Sequence, residues 1–383
     1  MSSPLPLTGV RVLDFSSLVP GPLASLILAD AGADVVKVER PGTGDDMRAL
    51  APADFANLNR GKRSIVVDLK DPTATAVLEP MIAEADVLIE QFRPGVMERL
   101  GLGYEQARSL NKRLVYCSIT GYGQTGPLAT KAGHDLNYLV DAGLLASARR
   151  AESDGAPHLP PTFIADIGGG TYPALVNVLL ALRAVESTGH GTHLDIAMTE
   201  NLFMWHWWIR AQVDVSGSSG EPGTVHPAGG SPRYGLYAAS DGAVVAVAAL
   251  EERFWLQLCE VLSVPAPLRL ESADPELVRA HLADVFSQRV GEYWRSLLHD
   301  VDTCVSIMTT PEEAFAHPHW AVRGTFEETA SAAGRRFAAI PSPIHRTFRR
   351  NDERSAPRLG TSAPRFIRGG DDGENSTRDG GAR

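Results

Sequence analysis

The stretch Gly9–Gly42, GVRVLDFSSLVPGPLASLILADAGADVVKVERPG, reads as a strand, a helix and a second strand in immediate succession. Val10–Ser16 is a short apolar run rich in β-branched residues, GPLASLILADAGA carries helical spacing that ends at glycine, and Asp34–Pro41 alternates back into a strand. Two strands joined through a helix pair in parallel, because a tight hairpin cannot join them. RSIVVDL, ADVLIEQF and LVYCSITGYG continue the pattern, with helical stretches between most of them. The fold class is therefore α/β, with a parallel sheet covered by helices on both faces in a Rossmann-like large domain. The first turn reads SSLVPGP where a dinucleotide-binding protein needs GxGxxG, which argues against a dinucleotide dehydrogenase.

Beyond that sheet the pattern changes. A run from about Gly170 to Glu186 is apolar on nearly all faces and predicts a buried helix. A strand-like GTHLDIAM and a Trp-rich helix, ENLFMWHWWIRAQV, follow. Residues 216–232, rich in Gly, Ser and Pro, read as a linker between a large domain of residues 1–215 and a smaller α+β domain at 233–324. The smaller domain holds YGLYAAS, a turn at Asp241-Gly242, AVVAVAAL and then helices, the last capped by Thr309 or Thr310. Residues 369–383 have the composition of a disordered tail.

At 383 residues, with 44% hydrophobic and 21% charged residues, the chain has a soluble globular composition and the length for two domains. Neither end resembles a signal peptide, and no wholly apolar run reaches the ~18 residues of a membrane span, so a cytoplasmic protein with no membrane partner is expected. A net charge of −10 argues against nucleic acid as a partner. Cys117, Cys259 and Cys304 show no CxxC spacing and are expected as free thiols.

Three isolated positions invite chemistry. His134 in KAGHDLNYL is a catalytic base, a metal ligand or a plain helix-start residue. Asp166 precedes Gly168, Gly169 and Gly170, which either permit a tight turn below an N-cap or let a ligand approach the backbone N–H groups of a helix start. Glu251 closes the strand AVVAVAAL, where glutamate is ordinarily a solvated turn residue. Arg40, Arg60, Lys62, Arg63 and Arg93 fall near the ends of predicted strands; gathered along the carboxyl edge of a parallel sheet, they would suit a phosphorylated ligand. His317 and His319 of HPHW lack a matching ligand cluster, so no metal site is expected.

GVRVLDFSSLVPGPLASLILADAGADVVKVERPG, NRGKRSIVVDLKD, ADVLIEQFRPGVMERLGLGYE, YCSITGYGQTGP, AGHDLNYL, ADIGGG and CVSIMTTPEEAFAHPH occur in this order. Together they resemble the family III CoA transferases and, within them, the α-methylacyl-CoA racemase branch. The resemblance covers most of Leu7–Gly324. It implies a Rossmann-like domain completed by about residues 325–362, a smaller domain, an interlocked homodimer, an acyl-CoA substrate, and no cofactor beyond its CoA moiety. Members that transfer CoA use the aspartate matching Asp166 as nucleophile and usually carry an aromatic residue where His134 stands. Racemases have histidine there.

Carried over by position, the resemblance makes His134 and Asp166 the two acid/base residues and Glu251 the carboxylate that orients the histidine. Asp135 and Tyr138 become supporting residues, and Arg40, Arg60 and Arg93 are associated with CoA or the site entrance. Inverting a carbon beside a thioester needs a proton removed from one face and returned on the other, so two groups must flank it. Backbone N–H groups near Asp166 are the expected enolate stabilisers, each typically worth roughly 3 kcal/mol. This chain has GGSPRYGLY where racemases often read something like GGAPYYDTY, so a different acyl recognition is expected around Arg233 and Gly235. A CoA transferase and a non-catalytic acyl-CoA-binding protein are the other readings.

Overall fold

The computed structural model of the chain is described over residues 4–148, 157–223, 228–332, 334–350 and 352–367. Its main sheet contains β1 (Arg11–Asp14), β2 (Asp34–Glu39), β3 (Arg63–Val66), β4 (Val87–Glu90), β5 (Val115–Thr120) and β6 (His193–Ala197). The spatial order is β3-β2-β1-β4-β5-β6, all parallel, with Val12 opposite Val35 on one side and Val87 on the other. This is the doubly wound order, whose reversal between β1 and β4 opens a crevice at the carboxyl edge. Val12, Leu13, Val36, Val87, Leu88 and Ile89 have no solvent exposure. Each such burial stabilises by about 1.5–3 kcal/mol, which explains why the central strands are near-continuous apolar runs.

The described residues of Met1–Ala142, Thr162–Met204 and His319–Arg383 form one compact unit, and those of Gly143–Pro161 and Trp205–Pro318 form a second. The boundaries differ from those read in the sequence. The Trp-rich run is not one helix: Met198–Asn201 is helical, Leu202–His206 tightens into a 3-10 turn, and Trp207–Ser216 resumes as a helix of the second unit. His319–Gly324, read as the end of the smaller domain, belongs to the first unit. The chain end returns to that unit's sheet, where Ser362 N–H donates to Ser64 O at 3.0 Å and Phe366 joins the core. Residues 224–227 of the linker and the tail 369–383 lie outside the described residues.

The second unit holds an antiparallel sheet of β7 (Tyr234–Ala238), β8 (Val244–Ala248) and β9 (Val305–Ile307) over a core of Trp255, Leu258, Leu282, Phe286 and Trp294. Gly242, with φ of 81°, makes the turn between β7 and β8. Thr310 caps Pro311–Ala316, accepting from Glu313 N–H at 3.2 Å. Cys117 and Cys259 are buried free thiols and Cys304 is exposed.

One prediction needs a larger correction. The helix Tyr172–Thr188 is buried only along Ala174, Leu175, Val178, Ala181 and Val185. Tyr172, Val176, Leu179 and Leu180 are exposed along the opposite face. With the turn before it, Ala165–Thr188 is long and apolar enough to cross a membrane by length and composition, contrary to the reading of the bare sequence; its buried face covers β5 and β6.

Candidate active site

Asp166 is not an N-cap. It lies in a π-helical turn, Ala165–Thr171, that runs directly into Tyr172–Thr188. Such turns carry one more residue than an α-helical turn and widen the backbone locally. The three glycines accompany this widening. A Cβ on Gly169 would stand 2.3 Å from Met198 O, and one on Gly170 would stand 3.0 Å from Met198 Sδ and 3.1 Å from Pro20 Cβ. Protein, not ligand, fills the space beside both. Thr171 Oγ1 donates to Pro20 O at 2.8 Å and Asn201 Nδ2 to Gly169 O at 2.8 Å, which bolts the turn to its neighbours. Gly168 is the partly exposed glycine of the three.

The backbone donors expected to meet an enolate are partly occupied. Asp166 N–H donates to Asp135 Oδ1 at 2.9 Å, and Ile167 N–H to Phe163 O at 3.1 Å. The first of these bonds joins the two parts of the candidate site. Asp135 is the buried first residue of the helix Asp135–Asp141, and His134 is its N-cap, with extended backbone and an exposed imidazole. His134 N–H donates to Asn137 Oδ1 at 3.0 Å, so the histidine is held at the helix entrance while its ring faces solvent. Burial pushes the Asp166 carboxyl up to about 7, and the neighbouring Asp135 adds to the rise. A group poised there gives or takes a proton at neutral pH.

Tyr138 anchors the loop before this helix. Its hydroxyl donates to Gly133 O at 2.5 Å, and a Cβ on Gly121 or Gly133 would come within 2.4 or 2.7 Å of its ring. Burial and the Asp166 charge push the phenol up to about 12, so it stays protonated. Tyr122 packs edge-on against it at 5.4 Å and donates to Asp141 Oδ2 at 2.5 Å.

The basic constellation separates into two classes. Arg93 follows β4, is exposed, and forms no ion pair or side-chain hydrogen bond among the described residues; it exerts a charge effect on Tyr138. Arg40 is exposed after β2, bonded to Thr43 Oγ1 at 2.7 Å and paired with Asp46. The other three are held by carboxylates of the protein, Arg60 and Lys62 buried and Arg63 half-buried, which corrects their reading as ligand-facing cations. Arg60 is buried against Asp30 at 3.2 Å and donates to Ile340 O at 3.1 Å. Lys62 is sealed between Asp14 at 3.2 Å, Pro22 O at 2.9 Å and Asn59 Oδ1 at 2.9 Å. Arg63 makes a bidentate pair with Asp34, at 2.9 and 2.7 Å, at the start of β3 and so at the amino end of the sheet. Glu251 belongs to the second unit, where it is the exposed N-cap of Glu252–Val261.

Two features were missed. Leu18, in the loop after β1, has φ of 62°, a left-handed conformation costing a residue with a side chain roughly 1–2 kcal/mol. Buried Glu90 at the end of β4, buried Ser118 within β5 and half-buried His193 at the start of β6 form a polar cluster. Its only signal is polar residues interrupting apolar strands.

The sequence model for CoA-transferase family III matches residues 7–363. An α-methylacyl-CoA racemase from Homo sapiens is 35% identical over 323 residues, covering 84% of this chain and 82% of that protein. A succinate–glutarate CoA-transferase from Agrobacterium fabrum is 34% identical over 387 residues, covering 93% of each. The crystal structure of a CaiB/BaiF family protein from Brucella suis superposes with a TM-score of 0.77 at 28% identity, covering 94% of this chain and 97% of that one.

Proposed function

Because the chain belongs to CoA-transferase family III, we propose that it acts on acyl-CoA thioesters and that it inverts the α-carbon of a 2-methyl-branched acyl-CoA. The observation that carries this reading is the bond from Asp166 N–H to Asp135, which ties a carboxyl poised near neutrality to the helix that His134 caps. One of the pair takes the α-proton, leaving an enolate whose charge rests on the thioester oxygen. The other delivers a proton to the opposite face. In the reverse direction the roles exchange, so each group begins in the protonation state the other had. The scheme uses no cofactor beyond the CoA moiety of the substrate.

The second reading is CoA transfer. The Asp166 carboxylate attacks the thioester carbonyl carbon and CoA leaves as thiolate. The thiolate attacks the Asp166 carbonyl of the mixed anhydride and releases the donor acid. The acceptor carboxylate then displaces CoA from Asp166, and the thiolate takes the acceptor acyl group, freeing the carboxylate. The Agrobacterium relative named as a transferase favours this route. His134 favours racemisation, since the resembling transferases usually carry an aromatic residue there.

One assay separates the readings. A 2-methylacyl-CoA is incubated with the protein in deuterated water, with and without succinate as acceptor acid. Deuterium at the α-carbon without acceptor, and loss of optical purity, is the expected result. CoA appearing on succinate, or an Asp166 hydroxamate formed in hydroxylamine during turnover, reassigns the protein to transfer.

We assign the exposed row Tyr172, Val176, Leu179 and Leu180 to the contact between two copies of the chain. These residues repeat at helical spacing, and sealing such a row gains about 25 cal/mol for each Å² of apolar surface buried. Sedimentation is expected to give a dimer, and Leu180→Glu to weaken it.

A further inference from the structure

We propose that Glu90 is a positioning residue that holds the Gln91–Gly95 turn so that Arg93 presents its guanidinium to the phosphates of the CoA moiety. The proposal rests on the acyl-CoA reading above, but its structural basis is independent of which reaction follows.

Glu90 ends β4 with 4% exposure, and its Oε2 accepts the N–H of Phe92, two residues on, at 2.7 Å. Ser118, opposite Glu90 across the β4–β5 ladder, favours the charged form of its carboxyl. Ser118 Oγ in turn lies 2.9 Å from His193 Nε2, within hydrogen-bond reach. His193 is fixed in turn by stacking on Tyr104 at 5.0 Å. The next residue is clamped from the other direction: Gln91 Oε1 accepts Gly21 N–H at 3.1 Å, and a Cβ on Gly21 would stand 2.5 Å from that oxygen. Val96 N–H then donates to Arg93 O at 3.1 Å, and Gly95, with φ of 80°, closes the turn.

Glu90, Gln91 and the Arg93 carbonyl are thus all bonded within the protein, and the Arg93 guanidinium is the charged group left over. A guanidinium on a rigid turn loses less freedom when it binds phosphate than one on a loose loop. A buried carboxylate behind an unpaired cation, with no ion pair between them, is not needed for packing alone; an apolar residue would cover β4 at lower cost. Burial pushes Glu90 up to about 7, with Ser118 and the Phe92 amide opposing and Glu98 and Asp195 adding. Arg11 and Asp14 on β1, Tyr116 and Cys117 on β5 and His193 on β6 are the other titratable groups on the strands around it.

The test is CoA binding by calorimetry together with steady-state kinetics on a 2-methylacyl-CoA. Arg93→Ala is expected to weaken CoA about tenfold, Glu90→Ala by a similar factor with kcat within about twofold, and the double variant no more than Arg93→Ala alone. Glu90→Gln, which keeps an oxygen for the Phe92 amide, restores most of the affinity. Additive losses in the double variant, or a Glu90→Gln variant as weak as Glu90→Ala, overturn the positioning role. Wild-type affinity in Arg93→Ala overturns it together with the role of Arg93. If wild-type protein binds no CoA, the acyl-CoA reading fails by itself. Amide exchange then decides the hold on the turn: faster exchange at Phe92 in Glu90→Ala supports it and unchanged exchange refutes it.

Discussion

Asp14 is buried and Asp166 half-buried in the same unit, and their surroundings push the two carboxyls in opposite directions. Burial alone would raise Asp14, but Lys62 at 3.2 Å and the nearby Lys37, with Ser16 and Ser25, hold it well below the usual carboxylate range. Lys62 is itself pulled down to about 8 by burial, against the attraction of Asp14. Asp166 has no cation among the groups that shift it; burial and Asp135 carry it up to about 7. The chain thus silences one buried carboxylate with ammonium groups and leaves the other unpaired. Burial creates the potential for a working acid, and the choice of neighbour decides whether it is realised.

The contrast can be broken in four ways. The largest effect is expected at the unpaired end: Asp166→Asn and His134→Ala should each lower kcat/KM for inversion by about 10²-fold to 10⁴-fold, measured by chiral analysis of the product. Inversion at near wild-type rate in either variant contradicts the two-base scheme. At the paired end, Lys62→Met should leave catalysis unsupported only through unfolding. Stranding a buried Asp14 costs on the order of 3–5 kcal/mol, read as a lower urea midpoint with an unchanged slope.

A third experiment uses the opposite signs of the two shifts. The folded-state value of Asp14 is depressed, so its stabilisation is present above the unfolded carboxylate range and is lost as pH falls. The folded-state value of Asp166 is raised from 3.8 to about 7, so the native state holds more protons between those values and stability declines as pH rises across that window. Asp166→Asn should therefore be more stable than wild type at pH 8 by on the order of 2 kcal/mol, with no gain at pH 3.5. An equal gain at both pH values would assign the effect to packing. The smallest effect is expected at Arg63→Lys. Its guanidinium is held by Asp34, so CoA affinity should stay within about twofold of wild type, where Arg93→Ala should not.

The sheet was legible because its central strands are buried on both faces and their sequences are largely apolar. The helix start at His134 and the turn at Asp241-Gly242 were legible because their signals are local. Arg60, Lys62 and Arg63 were misread because their partners, Asp30, Asp14 and Asp34, lie far away in sequence, and only the fold brings each pair together. The helix after Asp166 was read as buried because its outer row is as apolar as its inner one; composition does not distinguish a core from an uncovered face. Asp166 itself was legible as a candidate, but the π-helical turn around it was not. That conformation depends on Met198 and Pro20 pressing against backbone that has no Cβ to resist them.

The extra residue in that turn works as a phase shift. An α-helix advances about 100° per residue, so removing one residue from the turn would let an ordinary helix run through it and rotate everything upstream by about that angle. The downstream half is fixed on β5 and β6, so the rotation would fall on Asp166 and turn its carboxyl away from the helix that His134 caps. A chain lacking Gly168 alone would gain regular hydrogen bonds and lose its acid while keeping every side chain named in the chemistry. What the glycine supplies is therefore direction: the chain spends one residue of helical regularity to choose where a carboxyl points.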